Sequence, residues 1–292
     1  GFAIGGIVLI HFLEHLNFYY FPELTPLDKT VWDIVFFWLA NKMYAIFSLL
    51  FGFSFFVQHD NQAQEGKDFR PRFLWRMLLL ALWGIFDLLF YNGDILLVYA
   101  VCSLFVIPLI RQSNKVLFAA AIFFALQPIE LVYIVLGLLN PELTPLYLGS
   151  NEDFGAIMPQ QINGSFFDVA WVSLKHGIPV NFTWAIENGR FTQTIFLFIA
   201  GILLGRYRYL YDEGNNRLHW KKTMLYSLIG FAVFYPLYTY VPGTIDNVCV
   251  SHSLGIMLKA WMNLSMMLFY VSGITWLYHC TKAGKKLIVV AP

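Results

Sequence analysis

Long apolar runs recur along this chain, and each is closed by Pro, Gly, Asn or a charged cluster. A spanning helix needs about 20 apolar residues. Runs that qualify cover 2–20, 43–58, 72–91, 94–110, 116–139, 191–208, 222–241 and 254–279, the second and fourth being short. Residues 31–40 predict a further helix ahead of the second run, either interfacial or the start of a longer tilted helix. Breaks fall at Pro22 and Pro26, at Asn92-Gly93-Asp94, and at Asn140-Pro141. The pattern predicts an all-α, polytopic integral membrane protein of about eight transmembrane helices.

Charge orients the helices. With the N-terminus placed in the cytoplasm, 14 of the 19 Lys and Arg fall in inside segments, from Lys67 and Arg70 to Lys282, Lys285 and Lys286. Both ends are then cytoplasmic. A single transmembrane domain over 1–292 is expected, with 140–190 as an extracytoplasmic loop carrying short amphipathic helices. The chain opens inside an apolar run at Gly1 and stops at Ala291-Pro292, so it is expected to be a fragment trimmed at both ends.

Composition agrees: 58% of residues are hydrophobic and only 13% charged, against about a quarter charged in soluble domains. A net charge of +1 gives no reason to expect a nucleic-acid partner. Cys102, Cys249 and Cys280 have neither metal nor disulfide spacing.

Ionisable groups inside apolar helices are expensive, so each is a candidate for function. The densest set is His11, Glu14 and His15, whose offsets of three and four put them on one helix face. A His oriented by a carboxylate is a good general base; the structural reading is interhelical hydrogen bonding. The same string fits an H-x-x-E-H zinc pattern, but no third ligand is evident and no metal is expected. Asp87, Asp94, Gln127 and Glu130 fall in the outer half and could line one cavity with the first cluster. Asp94 is equally suited to capping the next helix. Asn41 with Lys42, and Lys259 with Asn263, enter their runs from the outside and could snorkel. Arg190 ends the outer segment. On the inner side Arg72 and Arg76 share a face, with Arg70 nearby, as phosphate recognition or as an ordinary basic flank. Gly1 with Gly5, and Gly201 with Gly205, suit helix contacts.

Several strings resemble the YeiB-like bacterial membrane proteins, a family known as domain of unknown function 418. They are Gly1-Phe2-Ala3-Ile4-Gly5-Gly6-Ile7-Val8-Leu9-Ile10-His11, Ile46 to Gly52, Arg72-Phe73-Leu74-Trp75-Arg76, Gly93 to Ala100, Gly189-Arg190-Phe191 and Ala200 to Arg206. The resemblance covers nearly the whole chain. That family looks related to the transmembrane acyltransferases, including the acyltransferase-3 and lysosomal glucosamine N-acetyltransferase types. Acyltransferase-3 proteins carry an Arg separated by ten residues from a first-helix His, and here that Arg would fall just before Gly1. They also carry Arg-x-x-Arg near the third helix, where this chain has the wider Arg72-x-x-x-Arg76. Many YeiB-like chains carry Asn at the position of His11, which makes a His mechanism less general. A further family segment is expected beyond Pro292.

The resemblance implies a multi-pass protein of the bacterial inner membrane that moves an acyl group from cytoplasmic acyl-CoA to a hydroxyl or amine at the outer side. His11, Glu14 and Asp94 would be catalytic, Arg72 and Arg76 would hold acyl-CoA, and His15, Asp87, Glu130 and Arg190 would line the substrate cavity. The expected partners are membrane lipids, acyl-CoA, a cell-envelope acceptor and, in a homo-oligomer, further copies of the chain. The alternative is a proton-coupled transporter or flippase of a lipid or small metabolite; a third is a non-catalytic scaffold.

Overall fold

A computed structural model describes residues 1–15, 25–211 and 216–280, except the side chains of His15, Asn216, Arg217, Leu218, His279 and Cys280. His15 as a cavity residue, Pro22, and the basic residues Arg217, Lys282, Lys285 and Lys286 lie wholly or by their side chains outside that description. The described residues are helical throughout their regular structure. In chain order the helices are α1 (Phe2–His15), α2 (Pro26–Leu39), α3 (Lys42–Gln64), α4 (Arg70–Asp87), α5 (Leu96–Val106), α6 (Asn114–Ala125) and α7 (Pro128–Leu139). They continue as α8 (Ser150–Asn163), α9 (Phe166–Val172), α10 (Ile178–Glu187), α11 (Arg190–Arg206), α12 (Asn216–Tyr240) and α13 (Val248–Cys280).

Local chemistry sets many of these ends. Thr25 caps α2 in a reciprocal box with Asp28, ahead of Pro26. Ser165 and Asp168 do the same for α9, and Ser113 caps α6. A π turn at 173–177 joins α9 to α10.

Three stretches are long and apolar enough to cross a membrane: 26–64, in which α3 continues α2, together with 219–244 and 248–278. The bent pair α6–α7, angled at 50°, makes a fourth if counted as one span. The first run and 96–111 are apolar but shorter. The sequence windows were drawn on hydropathy alone. The break at Gln127 divides the 116–139 window into two short rods, and α5 is shorter than the 94–110 window that predicted it.

The bundle is built on α11, which is buried along almost its whole length between α3, α5 and α6. Glycine permits this. A Cβ on Gly201 would collide with the backbone of Leu49 and Phe53, and one on Gly52 with the carbonyl of Phe198. The two backbones therefore touch, as small residues allow in membrane bundles. Gly205 admits the ring of Phe56 in the same way. At the other expected pair, Gly5 faces open space and its neighbour Gly6 receives Met43. An aromatic core of Phe51, Phe55, Phe73, Tyr99 and Phe198 fills one side of α3. Met43, Ile46, Leu49, Leu197 and Met267 fill the other. Outward positions such as Trp75, Leu78, Leu82, Trp83 and Phe86 of α4 are exposed and apolar, as a lipid-facing surface requires.

Candidate functional site

On α1 the three-residue offset places His11 Nδ1 3.0 Å from Glu14 Oε2. A third member comes from the turn after α4. The Tyr91 hydroxyl donates to Glu14 Oε2 at 2.7 Å and lies 2.5 Å from His11 Nδ1. The two rings meet edge to face at 4.8 Å between centroids. Gly93 makes room for this pose, since a Cβ there would strike the Tyr91 ring.

Tyr91 donates to the Glu14 carboxylate. With Nδ1 as the second donor, aimed at the carboxylate and the phenol oxygen, the lone pair of His11 resides on Nε2. The His11 side chain is 40% exposed and that of Glu14 26%, so a reactant can reach the ring. This is the arrangement of an oriented general base.

Asp94 is nearby and otherwise engaged. Its Oδ2 accepts from Leu96 N at 2.9 Å, capping the start of α5, and its carbonyl accepts from Asn181 Nδ2 of α10 at 2.5 Å. Its charge is felt by His11 and Asp87 without a hydrogen bond to either. Asp87 ends α4, half-buried. Orientation of His11 therefore comes from Glu14 and Tyr91.

Arg72 and Arg76 lie at the far end of α4, exposed, with Arg76 bonded to Gln58. The rise of the helix puts them ~20 Å from Tyr91. Beside them, Asp68 is gripped by Arg70 and Arg111, and the Arg70 hydrogen bonds hold its carboxyl well below the usual carboxylate range.

Glu130 is buried in the first turn of α7. It stands with Gln127 beside Gly189, where φ is +65° and an added Cβ would lie 3.1 Å from Glu130 Oε1. Thr192 bonds to Gln127 and ties α11 to the α6–α7 break. Arg190, first residue of α11, stacks over Tyr44 (4.9 Å) and Trp184 (5.7 Å), and its charge reaches Glu14. Lys42 does not snorkel: it is 3% exposed and donates to Phe37 O at 2.5 Å. Among the described residues no group of three His, Cys, Asp or Glu could hold a metal ion. Tyr91 was the member that sequence reasoning missed, and its only signal was adjacency to the Asn92-Gly93-Asp94 turn.

Residues 1–159, more than half the chain, match the family model described as heparan-alpha-glucosaminide N-acetyltransferase, catalytic. That stretch holds His11, Glu14, Tyr91, Asp94, Arg72 and Arg76. Residues 204–291 match a protein of unknown function, DUF418. An uncharacterized 39.9 kDa protein in the amylase 3′ region of Bacillus acidopullulyticus is 33% identical over 116 residues, 40% of this chain and 33% of that protein. The uncharacterized protein YxaH of Bacillus subtilis is 24% identical over 319 residues, 97% of this chain and 72% of that protein. The match thus spans a third of the first relative's length and most of the second's. No solved structure matches.

Proposed function

Because the chain belongs to the heparan-alpha-glucosaminide N-acetyltransferase catalytic family, we propose that it is a membrane acyltransferase using acyl-CoA as donor. The observation that carries this reading is the His11–Glu14–Tyr91 cluster, inside the matched region and accessible at the His11 ring. In the proposed step His11 Nε2 takes the proton of an acceptor hydroxyl or amine. The acceptor oxygen or nitrogen then bonds to the thioester carbonyl carbon, the carbon–sulfur bond breaks, and the proton passes to the leaving CoA thiolate. Glu14 and Tyr91 hold the imidazole in the required tautomer.

The donor enters at the cytoplasmic face, where Arg72 and Arg76 meet its phosphates. Asp94 supports the site through its cap on α5. Asp87, Glu130 and Arg190 border the acceptor side. The topology that goes with this reading has about eight spans, both ends in the cytoplasm and 140–190 outside. It places the protein as a multi-pass chain in the bacterial inner membrane, among lipids, with a cell-envelope acceptor. No metal enters the reading.

A second reading, a proton-coupled transporter or flippase, is favoured by one feature. Two helices are interrupted in mid-course, at Asn41 and at Gln127, and broken helices mark many transporter sites. Titration of purified full-length protein with acetyl-CoA separates the two. Saturable binding, lost in Arg72→Ala/Arg76→Ala, is the expected result. A folded protein that fails to bind acetyl-CoA and couples solute movement to a pH gradient would be a transporter.

A further inference from the structure

Three helices begin at one place. The first turns of α3 and α11 are joined by Tyr44, whose hydroxyl donates to Arg190 O at 3.1 Å and also meets Thr194. The first turn of α7 joins them through Gln127 and Gly189. α13 closes the fourth side, with Gln193 Nε2 donating to Ala260 O at 3.4 Å. Helix starts carry partial positive charge and unpaired N–H groups. Acidic or hydroxyl caps normally answer this, yet the N-caps Asn41, Gln127 and Gly189 provide no side-chain cap.

Cations are added instead. Lys42 opens α3 and Arg190 opens α11, the positions where helix dipoles disfavour positive charge. Lys259 of α13 is exposed at the rim, and the three charges act on one another. Among the described residues none of the three forms a salt bridge. Lys42, almost fully buried, makes a single hydrogen bond, and the Arg190 guanidinium has aromatic faces as its partners. The carboxylates nearby are Glu14, engaged by His11 and Tyr91, and Glu130, whose Oε2 has no hydrogen-bond partner. Asn263 Oδ1, one turn beyond Lys259 on the same face, is also buried without a partner. Orphaned acceptors suit hydroxyl groups.

We propose that this junction binds the phosphate or carboxylate group of a hydroxyl-bearing acceptor. The inference rests on the acyltransferase reading and gives its acceptor a chemical class.

The test is titration of the full-length protein in nanodiscs with inorganic phosphate, glucuronate and glucose. Phosphate and glucuronate should bind saturably, with glucose silent at the same concentrations. Lys42→Met/Lys259→Met should weaken both by roughly tenfold or more, and the rim variant Lys259→Gln, which leaves the core intact, should weaken them less. His11→Asn should bind both normally. Equal binding of glucose, anion binding unchanged in the double variant, or no anion binding by folded wild type would overturn the proposal. Displacement of phosphate by coenzyme A would assign the junction to the donor and overturn it too. Acetyl-CoA titrated separately reports on the acyltransferase reading: if it fails to bind while phosphate binds, that reading falls and the anion site stands.

Discussion

The Tyr91 hydroxyl lies 2.5 Å from His11 Nδ1, although 80 residues separate them in the chain. The contact joins α1 to the turn between α4 and α5, and it uses the same ring nitrogen that meets Glu14. His11 is therefore held from two directions.

Loss of that hold should be measurable. Tyr91→Phe keeps the ring contact and removes the hydroxyl shared with Glu14 and His11. Acyl transfer should fall by about tenfold or more, the worth of one charge-assisted hydrogen bond. The fall should appear in kcat with KM for acyl-CoA unchanged, because the hydroxyl orients a base and does not touch the donor. Steady-state kinetics at saturating acyl-CoA reads this directly.

The glycine contacts predict a paired result. Gly201→Ala forces a methyl group into the Leu49 and Phe53 backbones, and overpacking of that kind costs about 1–3 kcal/mol. Gly5→Ala meets nothing within 4 Å, so stability should hold. Thermal unfolding in detergent should show a lowered Tm for the first variant only.

Arg206 reaches three acceptors at once: Gln112 O and Asn114 Oδ1 at 2.7 Å, and Ile110 O at 2.5 Å. It pins the end of α11 to the turn before α6. A lysine keeps the charge and loses the fork. Arg206→Lys should therefore cost about 1–3 kcal/mol, and Arg72→Lys, exposed on α4, less than about 0.5 kcal/mol. Denaturation midpoints of the two variants make the comparison.

How much of this was legible in the chain depends on distance along it. His11 and Glu14 share a face by a local offset, so the periodicity of one helix places them together. Tyr91 reaches Glu14 from 77 residues away, and no local pattern encodes that. Asp94 offered two roles by its position, and the fold uses it as a cap. Lys42 reads as a snorkelling residue when α3 is taken alone. It is buried because α2 runs into α3 and supplies the Phe37 carbonyl. Arg206 looks like an ordinary basic flank until the turn at 110–114 folds over it. Glycine positions signal close approach, but which of Gly5 and Gly6 packs was set by Met43 on another helix.

The most direct test of the central claim is transfer of a labelled acetyl group. Membrane vesicles carrying the full-length protein would be given labelled acetyl-CoA and a cell-envelope extract. The account predicts label in an acceptor with matching release of CoA, falling about 10²–10⁴-fold in His11→Ala. Full transfer by His11→Ala would contradict it.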